Sequence, residues 1–472
     1  MTDIKNQPNR RSVLKYLAYS AAAAGTTFVP RSVGAFFPGH IRKDVCILGG
    51  GAAGIFSALK LRDRGFSVAV IEQTGRIGGH SETFRDPDTG VMINIGVQIF
   101  PNHPLVVNTY GRYGLSLQPA PSGGGQPPLL VDFATGQLVK PITSTPAEFG
   151  QALVKYINIL TKEYPFIGTN GINLPNPVPA ELLLPFKDFL EARGLLPGLA
   201  RLFDFLQGFG SPLDMTTLYA LKNIDLAVSS AILTNGFLRG EGGNDLFYKE
   251  AEKELGNSIF KNTNVLSVSR PTAGPVRVYI NTPSGRQLIL CDRLIVTFPP
   301  LLQNMQRLDL SRREFDIFRR FRSNFYWTSV AEISGLPPFQ RVSNRSASLP
   351  FNVPRLPGLY GVSPSSAPNV YNILYGSDRV IPGRAVQQQI ERDVERLSVA
   401  TGSPVTFNRF RLFKGHNPYA LYVSPQDIQN GFYARLKALQ GQRNTFYLGS
   451  AFQTHSTLAV WSQAEELLNT FT

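Results

Sequence analysis

Gly49-Gly50-Gly51-Ala52-Ala53-Gly54 sets three glycines at the spacing G-x-G-x-x-G, directly after the strand-like run DVCILGG and at the head of a helical pattern. That order suits the phosphates of a dinucleotide. Glycine at 49 permits a tight turn, glycine at 51 lets backbone N–H groups approach a pyrophosphate, and glycine at 54 lets helix and strand pack closely. Ala52 and Ala53 open the helix whose N-terminus would face the anion. Glu72 lies 21 residues past Gly51, at the end of the next strand, where a carboxylate accepts hydrogen bonds from ribose hydroxyls. A glycine loop alone arises for turn reasons as well; strand, helix and acid together point to dinucleotide binding. Other reactive groupings are not evident. The five histidines (His40, His80, His103, His416, His455) do not fall with acids at metal-ligand spacing, and there is no G-x-S-x-G elbow. Cys46 and Cys291 sit in strand-like runs and support neither a disulfide framework nor a dithiol motif. Redox chemistry in this chain needs a cofactor.

Arg76-Ile77-Gly78-Gly79-His80 follows Glu72 at the spacing E-x-x-x-R-x-G-G-R, and here the chain resembles the flavin amine oxidase superfamily. The resemblance implies FAD. A second glycine loop, Gly78 and Gly79, lets the chain pass close to the diphosphate and ribityl region, with Arg76 offering charge. His80 stands where the superfamily usually has a second arginine, so a weaker, titratable charge is expected there. The resemblance continues through Asn94-Ile95-Gly96-Val97-Gln98, the stretch beside the isoalloxazine, and through Gly242-Gly243. Val265 falls where the backbone pairs with adenine. Phe446-Tyr447-Leu448-Gly449-Ser450 matches the strand delivering the last FAD-binding glycine, with Ser450 in the place of the usual acid. Leu458 and Ala459 lie in a final helix whose N-terminus would stabilise negative charge at flavin N1 and O2. A plain packing helix is the alternative. No cysteine lies in this last block to form a thioether, so FAD is expected to be held non-covalently. Two stretches, DPDTGVMINIGVQIF and LQGQRNTFYLGSAFQTHS, look most like the β-cyclopiazonate dehydrogenase-like flavoproteins, with polyenoic fatty acid isomerases more distant.

By the same resemblance His455 takes the position where amine oxidases set an aromatic residue over the flavin, and Tyr419 and Tyr422 are expected to form the opposite wall. A hydrogen-bonded structural histidine and ordinary aromatic core are the competing readings. Amine oxidases also carry a lysine near flavin N5, but the comparable stretch, Asn324-Phe325-Tyr326-Trp327-Thr328-Ser329-Val330, has none. Amine oxidation by that arrangement is not supported, and Tyr326 and Trp327 favour an apolar or aromatic substrate. The first expectation is a dehydrogenase or oxidase that removes a hydride from a hydrophobic small molecule. A flavin-dependent double-bond isomerase of unsaturated fatty acids or polyenes is the second, and a non-catalytic flavin or lipid carrier the third.

The elements that must position these groups read as a βαβ entry from Lys43, helical periodicity over residues 146–233, and strand alternation around the Pro283-Ser284-Gly285 turn. A hairpin is expected near LLVDFATGQLVKPI, with loops at 119–128 and 170–179. The fold class is α/β: a Rossmann-like FAD-binding domain of the GR2 type with a doubly wound sheet, and an interleaved α+β substrate domain. The FAD-binding domain is assigned to 36–119, 236–300 and 434–472, and the substrate domain to 120–235 and 301–433. The glycine clusters Gly123 to Gly125 and Gly240 to Gly243 lack a preceding strand and following acid, so no nicotinamide domain is expected.

Of the net charge of +14, residues 1–35 carry +4 and the remainder +10. The densest basic run, Arg312, Arg313, Arg319, Arg320 and Arg322, lies where Ser311 and Glu314 form a capping-box pattern, and reads as a helix with a wet basic face. No nucleic-acid fold signature accompanies it, and peripheral contact with an anionic membrane stays open. Asn9-Arg10-Arg11-Ser12-Val13-Leu14-Lys15 resembles the bacterial twin-arginine export motif, followed by an Ala-rich stretch at 16–29. That stretch is shorter than the ~18 apolar residues a spanning helix requires, so residues 1–35 read as a signal peptide engaging the twin-arginine machinery, and the protein as exported, periplasmic or secreted.

Overall fold

The computed structural model describes residues 39–120, 126–141 and 144–471. The export address at 1–35 and the cluster Gly123 to Gly125 lie outside those ranges. The strand His40–Leu48 ends in Val45, Cys46, Ile47 and Leu48, all buried, and Val68–Ile71 is buried throughout. Continuous apolar runs of this kind belong to strands covered on both faces. They form the centre of a seven-stranded sheet ordered Ile259–Phe260, Val68–Ile71, His40–Leu48, Gly285–Val296, Val276–Thr282 and Asn264–Ser269. The first four run parallel, and Thr445–Tyr447 adds a further parallel strand along Leu294, Ile295 and Val296. Val276–Thr282 returns antiparallel to Gly285–Val296, with Thr282 opposite Gly285, so the expected turn at Pro283-Ser284 closes a hairpin.

Strand parity divides the packing. Val45, Ile47, Val68 and Val70 face a layer holding Phe56 of the helix Ala52–Asp63 and Trp461 of the last helix, Thr457–Leu468. Cys46, Leu48, Ala69 and Ile71 face the other way, into a core continuous with the helical segment Pro146–Lys162, Phe186–Ala192 and Thr217–Asn223. Both cysteines are free and buried in that second face.

A second seven-stranded sheet is ordered Thr406–His416, Phe325–Ser334, Val370–Ser377, Gly358–Pro364, Val342–Asn344, Leu129–Asp132 and Gln137–Leu138. The last pair is the hairpin expected near residue 130. On one face the helix Gly383–Glu395 buries Val386, Ile390 and Val394 against Trp327, Ala331, Ile333 and Tyr375. On the other face Val330 and Val370 meet Val91, Ile93 and Ile95. That contact brings the stretch beside the glycine loops onto the second sheet.

Candidate active site

Gly49 has φ +110°, and a Cβ there would stand 2.5 Å from Thr297 Oγ1; a Cβ on Gly54 would stand 2.0 Å from the Gly49 carbonyl oxygen. Packing alone demands glycine at both. Gly51 differs: its φ of −77° suits any residue, and the nearest atom to an added Cβ is Gly79 Cα at 3.8 Å. Gly51 caps the helix Ala52–Asp63 without a side-chain hydrogen bond, and no acid lies in its first turn, which begins with Ala52 and Ala53. Its leading N–H groups therefore offer an anion site. The second loop docks on the first through Gly78 N–H to the Gly50 carbonyl at 2.7 Å. Gly78 and Gly79 have φ of +105° and +55°. Two walls reduced to Cα atoms, Gly51 and Gly79, with an uncapped helix start between them, fit the diphosphate of FAD.

Glu72 sits at the lip of this cradle. Its Oε2 accepts from Gly50 N–H at 2.8 Å, and its Oε1 accepts from the Thr74 N–H and hydroxyl, each at 2.8 Å. Arg76 braces its own loop, donating to the Gly79 carbonyl at 2.6 Å and pairing with Glu82, which Lys414 also meets. Thr263 N–H donates to the Glu72 carbonyl at 3.0 Å, which starts the strand carrying Val265 beside the acid. Val265 pairs with Ile280 just before a bulge. Gly96 lies so close under His80 that an added Cβ would overlap the His80 carbonyl, and Val97 N–H donates to that carbonyl at 2.9 Å. Asn244 fixes the same stretch by donating to the carbonyls of Val97 and Gln98.

Gly449, at φ +113°, turns the chain under Thr297 into the short turn Ser450–Phe452. The last helix follows, capped by Ser456 and with Leu458 and Ala459 buried in its first turn. Trp461 of that helix donates to the Ala52 carbonyl at 3.3 Å and stacks on Phe56 at 5.4 Å. Both helix N-termini consequently open at one edge of the sheet.

Three of the five histidines converge at that edge. The His80 ring lies 4.8 Å from His416, 5.9 Å from His455 and 5.7 Å from Tyr419, while Tyr419 lies 4.4 Å from His455 and stacks at 4.8 Å on Tyr326. Phe209 closes on both Tyr419 and His455 at 5.7 Å. Gly208, at φ +86°, makes room, since a Cβ there would stand 2.4 Å from the Tyr419 ring. His455 Nε2 is 2.7 Å from the Tyr419 carbonyl and His416 Nε2 is 2.8 Å from the Ile95 carbonyl. A carbonyl only accepts, so each Nε2 carries the ring proton and each Nδ1 keeps a lone pair. Desolvation holds His455 at about 4, and pushes His80 and His416 down as well, the neighbouring imidazoles adding to the effect on His80. Burial among other imidazoles thus disfavours the charge expected at His80.

His455 and Tyr422 line a cavity of about 270 Å³ together with Ser450, Tyr219, Lys222 and Asn324. Tyr419 stands at the back, behind Phe209 and His455, and Tyr422 packs edge-on to Tyr219 at 6.5 Å. Trp327 is a correction. Its neighbour Tyr326 faces the imidazoles, so Trp327 points to the opposite face of its strand, into the core with Tyr375 at 5.8 Å, and does not touch the site. His416, Phe209, Lys222 and Asn324 were not singled out from the sequence as site residues. They come from segments far apart along the chain, and only the Gly415-His416-Asn417-Pro418 run flagged one of them. The capping box at Ser311 and Glu314 forms as expected, but Phe315 is exposed while Ile317 and Phe318 are buried. Among the described residues no group of His, Cys, Asp or Glu is placed to hold a metal ion, and no helix is long and apolar enough to cross a membrane.

A doubly wound sheet, a two-loop glycine cradle with its acid, and a second, mostly antiparallel sheet beside an aromatic cavity define an FAD-dependent oxidoreductase. Residues 52–335 match the model of the flavin containing amine oxidoreductase family, and the chain belongs to that family. It is 32% identical over 442 residues to the FAD-dependent oxidoreductase dbaF of Emericella nidulans, covering 91% of each chain. It is 31% identical over 436 residues to the beta-cyclopiazonate dehydrogenase of Aspergillus oryzae, covering 91% of this chain and 93% of that one. Among solved structures, the CLA-producing fatty acid isomerase from P. acnes superposes with a TM-score of 0.74 at 20% identity, over 91% of this chain and 98% of that one. Putrescine oxidase bound to putrescine gives 0.65 at 16% identity, over 91% and 100%.

Proposed function

We propose that the protein removes a hydride equivalent from a hydrophobic small molecule, with non-covalently bound FAD supplying the N5 acceptor and passing the electrons to oxygen or another acceptor. The observation that supports this reading is one junction. His80 belongs to the cofactor loop, Tyr326 to the second sheet, Tyr419 to the loop after the strand Thr406–His416, and His455 to the cavity wall, and their rings meet within 6 Å. In this reading the glycine cradle, Glu72, Arg76 and Val265 hold the dinucleotide. The N-terminus of the helix bearing Leu458 and Ala459 favours negative charge at its tip. His455 presents a neutral Nδ1 to the cavity, as a proton acceptor or as an orienting group; Tyr419 fixes its tautomer, and Phe209 and Tyr326 exclude water. Anaerobic titration of the oxidised holoenzyme with amines, polyenes, fatty acids and indolic compounds tests it. At least one hydrophobic class should bleach the yellow absorbance. If none does, the carrier reading takes its place.

The fold likeness to a fatty acid isomerase favours a second reading, in which a double bond moves and no acceptor is consumed. Product formation without oxygen uptake or dye reduction would select it. Export through the twin-arginine route is proposed from residues 1–35. The named relatives are fungal whereas that route is bacterial, so Arg10 and Arg11 are the residues to test.

A further inference from the structure

We infer that the cavity beside His455 takes a hydrophobic molecule with an acidic head, a carboxylate or an enolate, whose charge Lys222 balances while Asn324 and Tyr422 supply hydrogen bonds. The inference rests on the proposed substrate site and names its chemistry. Lys222 is 3% exposed and lines the cavity. Its Nζ donates to the carbonyls of Ile167 and Thr169 at 3.0 Å and of Gly171 at 2.8 Å, with Gln453 Oε1 at 3.4 Å. These oxygens satisfy its N–H groups but carry no formal charge. Among the described residues Lys222 forms no ion pair. The buried Asp225 favours the ammonium through space, although its own burial raises its carboxyl above the ordinary value.

A buried ammonium with no carboxylate in contact is costly to hold in a fold, and one on a cavity wall points to a ligand that shares its charge. Desolvation brings it down to about 8, so it is cationic at neutral pH. Asn324 adds an independent sign. Its side chain lines the same cavity, the residue is 6% exposed, and its side-chain amide makes no hydrogen bond among the described residues. Tyr422, half-buried, lines the same cavity. Ile172, Phe209, Met215 and Leu421 give the apolar surface for the rest of the molecule. Two acids also line the cavity, Asp214 and Asp378, but on its solvent side: Asp214 is exposed and bonded to Ser211, and the Asp378 side chain is 54% exposed and paired with Arg379. Solvent screens both more strongly than it screens Lys222.

Calorimetric binding of matched ligands to the oxidised holoenzyme tests the inference without requiring turnover. Decanoic acid is compared with decanamide, and an alkylated cyclic diketone in its enol form with its enol ether. At pH 7 each acid should bind at least about tenfold more tightly than its neutral partner. The preference should shrink as pH rises through about 8, because both acids are already ionised and His455 is already neutral, leaving Lys222 as the titrating group. Lys222→Met should abolish it, and Lys222→Gln serves if that variant does not fold. Equal affinity for acid and neutral partner in the wild type, or a preference that survives in a folded Lys222 variant, overturns the inference. Absence of flavin bleaching by every compound would instead strike the proposed function and leave these affinities readable.

Discussion

At His455 a single ring meets Tyr419 twice, ring to ring in a tilted contact at 4.4 Å and through Nε2 to the carbonyl at 2.7 Å. Removing the ring should therefore separate chemistry from folding. His455→Ala is expected to keep FAD and near-native thermal stability but slow flavin reduction by about 100-fold, the usual scale for losing acid–base help. His455→Gln can still donate to the Tyr419 carbonyl without titrating, so loss of rate there marks a proton acceptor and partial retention an orienting group. Stopped-flow rates near wild type in both variants would shift attention to Tyr419 and Tyr422. A pH consequence follows from the same burial. The folded ring titrates at about 4 against 6.5 when exposed, so the unfolded chain binds the proton first and stability falls as pH drops from about 6.5 to 4. The window is worth up to about 3 kcal/mol. Melting temperature followed over this range should fall less steeply for His455→Gln than for the wild type; parallel curves would refute the linkage.

At the scale of elements, the fingerprint glycines do different work. Gly51→Val adds a side chain that meets no protein atom closer than 3.8 Å at its Cβ, so it should leave a folded but colourless protein. Gly54→Ala puts a methyl 2.0 Å from the Gly49 carbonyl and should unfold the βαβ turn itself. Normal FAD content in purified Gly51→Val would sink the assignment of the cradle. Both roles were legible from the sequence, since the spacing implies them. The faces of the strand Phe325–Ser334 were not. Tyr326 and Trp327 are equally aromatic, and only the side on which the helix Gly383–Glu395 packs sends Tyr326 to the site and Trp327 to the core.

Across the whole molecule, the first sheet is tied to the segment that follows it by a buried ion cluster. Arg270, wholly buried, donates to Asp309 at 2.8 Å and to both oxygens of Glu314 at 2.6 and 3.1 Å, and the Tyr447 hydroxyl donates to Glu314 at 2.5 Å. Burial alone would raise the Glu314 carboxyl, but Arg270 and Tyr447 outweigh it and hold it at about 2. Its contribution is present above its ordinary value of 4.5 and is lost as pH falls toward 2. Glu314→Gln leaves a buried guanidinium short of a partner and should cost about 3–5 kcal/mol in denaturant unfolding at pH 7. A loss under 1 kcal/mol would show that the cluster is not a strut. At the other end of the chain, replacing Arg10 and Arg11 with lysine should trap FAD-loaded precursor in the cytoplasm of a bacterial host. Unchanged localisation on fractionation would remove the export proposal.

The amino-acid sequence by itself determined the cofactor and the entry of the fold, because a phosphate cradle is built from consecutive backbone groups whose glycines, alanines and acid keep a fixed local spacing. It also carried the Pro283-Ser284 hairpin and the cap at Ser311, which are equally local. The chemistry of the cavity was decided only in three dimensions. His80 is hundreds of residues from His416 and His455, and they meet because the stretch Val91 to Ile95 packs on the second sheet. The lowering of their basicity is a property of shared burial rather than of residue type. Lys222 reads in sequence as one more solvated lysine on a helix, and becomes a buried cation only when the carbonyls of Ile167, Thr169 and Gly171 close around it.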